Sequence, residues 1–367
     1  MTDVHEDRLR FLFELLATPT PSGFEHEGQR RWLASVAPAA DRTWHDAYGN
    51  CFAELLPRRA VERPATVAVF GHIDEIGLMA AHIDERGFVY CKAIGGIDPA
   101  TIVGKRISFR SSVDGVDEPV LGVVGATATH LQDKTVEGKV RKLHELFIDI
   151  GAPDRGAAER RLRIGDPGVF AEGPQRIGAD LLVARALDNR AGAWVAAETL
   201  ARVSERRDEL RCRLVAVSTV QEEVGLVGAE MLAEGLRPDV ALVTDVGHAT
   251  DSPGISNAQH GMVRLAGGPR IAVGATLHPA IVARLEAIAA RTGIPLQRFA
   301  VPGKTGTDTD AIFRRGGGIP SALVSLPIRY MHTTVEMTSL ADLDRIAALF
   351  TAFALDLADG ERFVAQI

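Results

Sequence analysis

Four apolar stretches of this 367-residue chain run straight into acidic residues or histidine. VAVF leads into GHIDE, with His72 and Asp74; VAVSTV leads into QEE, with Glu222 and Glu223; ALVT leads into DVGHATD, with Asp245; SLPIRYM leads into HTTVE, with His332. A further acid, Asp188 in ARALDNRAG, stands at the start of a predicted helix. Imidazoles and carboxylates without cysteine make a donor set that suits Zn²⁺, and also Co²⁺ or Mn²⁺. So many acids at one spot repel one another unless neutralised. That favours two ions over one, roughly 3.5 to 4 Å apart with a carboxylate between them. Adjacent Glu222 and Glu223 raise a separate question, because neighbouring side chains of a strand point to opposite faces. The pleat is expected to aim the two acids differently.

Taken singly, each residue has a plainer reading. A histidine after a strand is commonly a hydrogen-bonded structural group, Asp188 suits a helix N-cap, and Asp245 suits a turn. Paired glutamates usually form a solvated face. What argues for chemistry is their coincidence at four strand ends, since ligands of open α/β sheets bind outside the carboxyl ends of the strands. Other motifs are absent or incomplete. VPGKTGTD has the look of a phosphate loop, but Arg298 stands where its first glycine belongs, and no HExxH, GxSxG or GxGxxG occurs. His5, His26 and His45 have no acidic strand-end context and read as surface residues.

The elements that must position these residues read as α/β. Residues 6–16 and 25–35 have helical spacing; 65–71 is a short, continuous apolar run, as in a strand buried on both faces. Between residues 81 and 178 short Val/Ile-rich stretches alternate with Gly, Asp and Pro turns, the pattern of a small all-β module inserted into the chain. After it come the helix AGAWVAAETLARVSERRDEL, the strands CRLVAVSTV, PDVALVTDV and PSALVSLPI, the helix HPAIVARLEAIAARTG and a last helix capped by Ser339. Helices alternating with apolar strands predict a mostly parallel sheet flanked by helices.

Composition narrows the function. A net charge of -7, with 41 Lys and Arg against 48 Asp and Glu, offers no basic field for a nucleic acid backbone. No stretch approaches 18 apolar residues and the first 23 carry no signal-like apolar core, so neither membrane spanning nor export is expected. Three widely spaced cysteines suit a reducing cytoplasm rather than a disulfide framework.

GHIDEIGLM, ARALDNRAG, QEEVGLVGA, TDV and YMHTTVE, in this order and spacing, resemble the M42 family of co-catalytic metallo-aminopeptidases, the family of the tetrahedral (TET) aminopeptidases. GGIDPATIVGKRI, LFIDIGA and IGDPGVF look like that family's inserted dimerisation domain, so the resemblance covers nearly the whole chain. It implies a zinc-peptidase-like catalytic domain over 1–80 and 179–367 and a β-rich dimerisation domain over 81–178. It implies two divalent ions per subunit, with Asp188 bridging them, His72 and Asp245 completing one set of ligands and Glu223 and His332 the other. Glu222 would be the general base that activates a bridging water, and Asp74 would orient the His72 imidazole. Short peptides would lose their N-terminal residues, in a homo-oligomer built from dimers up to a tetrahedral dodecamer. The substrate pocket is expected from residues 247–251 and 306–310. His248, Asp251 and Asp310 would favour basic or polar side chains, and which of Asp308 and Asp310 faces the substrate stays open. Thr334 departs from the family's usual proline without touching His332. Competing readings are a metal-dependent deacylase or carboxypeptidase on a related scaffold, and a non-catalytic assembly protein of the same fold.

Overall fold

The computed structural model describes residues 3–131 and 139–365, so part of the expected β module, residues 132–138, lies outside the described residues. An eleven-stranded sheet runs in the spatial order β1 (Arg42–His45), β2 (Cys51–Leu55), β12 (Arg213–Thr219), β3 (Thr66–His72), β13 (Val240–His248), β16 (Ser321–Arg329), β17 (Glu336–Ser339), β11 (Leu181–Ala184) and β10 (Gln175–Ile177). Off this path, β14 (Arg270–Gly274) pairs with β16, and β15 (Gln297–Val301) pairs with β14.

The sheet is mixed rather than mostly parallel. Only β12, β3, β13 and β16 at its centre, and the β14–β15 pair, are parallel. The outer strands join antiparallel. The cause lies in the connections: residues 46–50, 178–180 and 330–335 are short returns, whereas parallel strands need a long crossover. The central strands are the continuous apolar runs, and nearly every residue in them is buried. The helix Leu187–Glu205 packs on β3, β12 and β13, and the helices Asp3–Ala17, His26–Val36 and Leu340–Asp356 pack on it.

Between β3 and β10 the chain forms a closed six-strand barrel from β4 (Gly77–Ile83), β5 (Val89–Ile94), β6 (Arg106–Phe109), β7 (Val120–Gly125), β8 (Phe147–Asp149) and β9 (Pro167–Phe170). Leu78, Ile107, Phe109 and Ile148 belong to its own apolar core, separate from that of the sheet. The barrel strands run from Gly77 to Phe170. Gln175–Ile177, inside the range expected for the β module, instead returns through Gly178 to pair with β11 in the large sheet.

Candidate metal centre and active site

A few backbone contacts and two shared carboxylates hold the residues of the cluster. β3 ends on His72, and the strand lies unusually close to the helix Leu187–Glu205. A Cβ on Gly71 would fall 2.1 Å from the Gly192 carbonyl carbon, so only glycine lets the two backbones touch. This contact brings His72 beside Asp188. Asp188 itself has non-helical dihedrals and is followed by a cis peptide to Asn189. The Asn189 amide accepts from Gly192 N (2.9 Å) and donates to the Thr244 carbonyl (2.9 Å), tying the start of the helix to the residue before Asp245.

Asp188 then lies between the two imidazoles, with Oδ1 3.2 Å from His72 Nε2 and Oδ2 3.1 Å from His332 Nε2. His332 sits in the return between β16 and β17 with a positive φ of 58°. Its backbone N–H donates to Glu336 Oε1 (3.1 Å), while that of Asp188 donates to Glu336 Oε2 (2.9 Å). One buried carboxylate therefore links both backbones.

Glu222 and Glu223 lie beyond the end of β12 at Thr219, so the pleat does not separate them. A turn does, entered through Gln221 at φ 57°. The amides of Glu222 and Glu223 both donate to the Asp74 carboxylate at 3.1 Å, and Ser22 Oγ donates to it at 2.7 Å. Asp74 also stands 3.3 Å from His72 Nδ1, whose nearest backbone acceptor is the Asp74 carbonyl at 3.2 Å. Asp74 thus sets both the imidazole and the turn that carries the two glutamates.

With Nδ1 committed to Asp74, His72 Nε2 faces Asp188 (3.2 Å), Glu222 (3.8 Å) and Asp245 (3.8 Å), and it is buried without a hydrogen-bond partner. A ring lone pair aimed at carboxylates is repulsive unless a cation or a proton lies between them. Two sets of donor atoms come together within 4.8 Å: His72, Glu222 and Asp245, and His72, Asp188 and Glu223. These residues fit divalent ions. The first set also brings Glu222 within reach, so separating the base from the ligands rests on the resemblance rather than on distance.

Burial and charge repulsion together shift the ionisation of the cluster. Burial, then neighbouring carboxylates against the pull of His72, pushes Glu222 and Glu223 up to about 10. Burial and Asp188 also raise Asp245 and Glu336 well above the ordinary carboxylate range. Burial alone would lower His72, but Glu222, Asp188 and Asp74 raise it well above its usual value. Asp188 moves the other way: burial opposes ionisation, and the two imidazoles outweigh it.

A cavity of about 310 Å³ opens beside the cluster, lined by Asp188, Glu222, Glu223, Asp245 and His332 and extended by Gly247, His248, Arg270, Phe299 and Thr305–Thr307. Of the expected pocket acids, Asp251 is paired with Arg329, at 3.0 and 2.8 Å. Asp310 accepts from Thr305 N, Thr305 Oγ1 and Gly306 N, which fixes the loop bordering the cavity. Asp308 is buried behind that loop, accepting from Thr219 Oγ1 at 2.6 Å, and burial lifts it to about 6. Of the four expected substrate contacts, only His248 is on the cavity wall. Glu336 and Asn189 stood unread inside stretches otherwise singled out, YMHTTVE and ALDNRAG. Arg270 lies on β14, a strand too short and glycine-flanked to stand out in the sequence.

Residues 49–349 match the M42 glutamyl aminopeptidase family. The lysyl aminopeptidase of Pyrococcus furiosus is 30% identical over 94% of this chain and 96% of its own. Among solved structures, the TET aminopeptidase from the marine sediment archaeon Thaumarchaeota archaeon SCGC AB-539-E09 superposes with a TM-score of 0.90 at 27% identity, covering 97% of this chain and 98% of that one. The TET1 peptidase of Pyrococcus horikoshii, which can assemble into a tetrahedron or a large octahedral shell, gives 0.82 at 28% identity over 95% of this chain and 100% of its own. The family match and the aminopeptidase relatives make the chain a peptide hydrolase. The chain belongs to the M42 aminopeptidase family.

Proposed function

We propose that the chain removes N-terminal residues from short peptides at a centre of two divalent ions. The observation that carries this is the Asp188 carboxylate, one oxygen to each imidazole, beside an otherwise unpartnered His72 Nε2. In this reading Asp188 would serve both ions, His72 and Asp245 would hold one, and Glu223 and His332 would hold the other. Ions bound there, Zn²⁺ foremost with Co²⁺ or Mn²⁺ as alternatives, supply Lewis acidity that polarises a peptide carbonyl and lowers the pKa of water. Glu222, on the cavity wall, accepts the proton of the attacking water and returns it to the leaving amine. Asp74 acts through His72 and the Glu222–Glu223 turn. The acidic lining suits the cationic free amine of a peptide N-terminus.

The barrel, with its own core and outward-facing Leu121 and Val123 on β7, serves as the dimerisation module of residues 81–178, inserted into a catalytic part of residues 1–80 and 179–367. Dimers would build a shell of the kind the Pyrococcus horikoshii relative forms. Three buried free thiols accord with a cytoplasmic setting, and none of the described helices is long and apolar enough to cross a membrane.

The test is hydrolysis of aminoacyl p-nitroanilides after chelation and after return of Zn²⁺, Co²⁺ or Mn²⁺, with N-acetylated substrates as controls. Cleavage of free-amine substrates alone, restored by metal, is expected. Activity confined to blocked substrates would point to a deacylase, and silence with every metal would leave a non-catalytic protein.

A further inference from the structure

In the turn that carries Glu222 and Glu223, successive amides end on side chains rather than on backbone. Val220 N donates to Asn50 Oδ1 (3.0 Å), Gln221 N to Glu25 Oε1 (3.2 Å), and Glu222 N and Glu223 N to the Asp74 carboxylate, both at 3.1 Å. Asn50 is in turn held by Asp46, and Asp74 by Ser22. Glu25 is the outlier. It precedes the helix His26–Val36, where a capping side chain belongs, yet makes no cap bond to that helix. It turns instead to Gly23 N (2.7 Å) and to Gln221, 196 residues further along the chain.

Gln221 is the residue on which the direction of the turn depends. Its φ is 57°, and a non-glycine residue stays in that region only where its surroundings over-determine it. The Gln221 carbonyl already receives Val227 N, so the bond to Glu25 fixes the other end of the same residue. Glu25 is itself buried, and burial, then the neighbouring Asp74, raises its carboxyl to about 7. A cavity of about 460 Å³ fronts it, and none of the residues lining that cavity lines the one beside the metal cluster. A proton can therefore reach Glu25 without crossing the metal centre. The other titratable groups on the wall, His26, Arg30, His45, Asp46, Tyr48 and Cys51, make no hydrogen bond to Glu25 among the described residues. His26 is engaged with Arg110, Asp46 accepts from Asn50 and from Tyr48 N, and the Cys51 thiol, pushed up to about 12 by burial, stays neutral.

Building on the aminopeptidase reading, we propose that Glu25 is a positioning residue for the reaction: through its bond to Gln221 N it holds the turn that aims Glu222 at the attacking water. Glu25 does not line the substrate cavity, so it acts through Gln221. An ionised carboxylate grips an amide about twice as strongly as a neutral acceptor does. Protonation leaves a neutral oxygen on the same two donors, and the turn loosens as pH falls through about 7.

The experiment compares wild type, Glu25→Gln and Glu25→Ala by two readouts. In metal-free protein at a single alkaline pH, hydrogen exchange of the peptide spanning 220–223 should be about 10-fold faster in Glu25→Ala, with Glu25→Gln in between because its amide oxygen still accepts. With metal saturating, Glu25→Ala should lower kcat on aminoacyl p-nitroanilides by about 10- to 100-fold with KM little changed. Wild-type kcat should also fall through an acid limb near about 7 that Glu25→Gln lacks, a result that decides the question even where Glu25→Ala does not fold. An identical limb in Glu25→Gln, or exchange unchanged in Glu25→Ala, overturns the inference alone. A lower melting temperature with kcat unaltered assigns Glu25 to stability only, and a loss of rate that excess metal restores assigns it to ion retention through Glu223; either overturns the inference alone. Silence of wild type toward every aminoacyl substrate overturns the aminopeptidase reading and this inference together.

Discussion

At the scale of single residues, Asp74 and Glu222 show how different two neighbouring carboxyls can be. Asp74 is saturated with donors, from Ser22, Glu222, Glu223 and His72, and burial is outweighed so that it stays below the ordinary carboxylate range. Asp74→Asn should weaken metal retention by about 10- to 100-fold, measured by competition with a chelating dye, because the imidazole and the glutamate turn lose one common anchor. Glu222→Gln should retain the ions by the same assay and lower kcat by at least about 100-fold; near-normal turnover would remove the proton-transfer role. Titration gives a third expectation. Glu222 and Glu223 ionise near 4.5 when exposed but near about 10 in the folded, metal-free site, so the folded state holds protons that the unfolded state has released. Their contribution is present below 4.5 and is lost as pH rises toward 10; the raised His72 and Asp245 act in the same sense. Asp188, depressed instead, loses its contribution only on acidification below the ordinary carboxylate range. Thermal melts of chelated protein should therefore fall from about pH 6 to about pH 9 and recover on adding metal; a flat metal-free profile would contradict this. Residues such as His72 and Asp245 were legible because each ends or punctuates an apolar strand. Glu336 was not, since a carboxylate that acts by receiving two backbone amides carries no periodic signature.

At the scale of elements, the site depends on contacts that bring strand ends and one helix start together. Gly71 against Gly192 is the tightest of these, and Gly71→Ala should destabilise the fold by about 3 kcal/mol in denaturant titration, since backbone rather than a movable side chain blocks the Cβ. The Glu75, Arg185 and Arg190 cluster is a second fastening. Glu75 also accepts from Thr20 N, and Arg190 donates to the carbonyls of Leu15 and Leu16, so one acid joins the end of the first helix to the site. Glu75→Gln should cost about 3 to 5 kcal/mol, leaving two guanidinium groups short of charge. The four central strands were readable because burial on both faces writes a continuous apolar run. The wings were not: Arg42–His45 and Gln175–Ile177 are largely exposed and carry no such run, and only their short returns betray antiparallel pairing. The direction of Glu222 and Glu223 was misread for a related reason, because a positive φ at a glutamine has no sequence signal as clear as a glycine's.

At the scale of the whole molecule, the barrel and the site are in direct contact. Gly95 and Gly96, just past β5, lie against Glu223 and His332: Cβ atoms there would sit 3.3 Å from Glu223 Cβ and 3.1 Å from His332 Nδ1. If the outer face of β7 joins subunits, Leu121→Asp with Val123→Asp should lower the mass measured by light scattering, and a mass equal to that of wild type would place the interface elsewhere. The barrel was legible as a run of short strands and turns, but its edges were not, because Gly77 and Gln175 continue the same texture across both boundaries. The proposed donors are scattered from His72 to His332, on either side of the barrel and almost to the C-terminal helix. A chain still leaving the ribosome therefore carries Asp188 long before the imidazole of His332 and the strand β16 that supports Asp245 have been made. On the proposed ligand set, a nascent chain that ends before residue 332 would lack one of the two imidazoles, so the site could be complete only after translation has passed it.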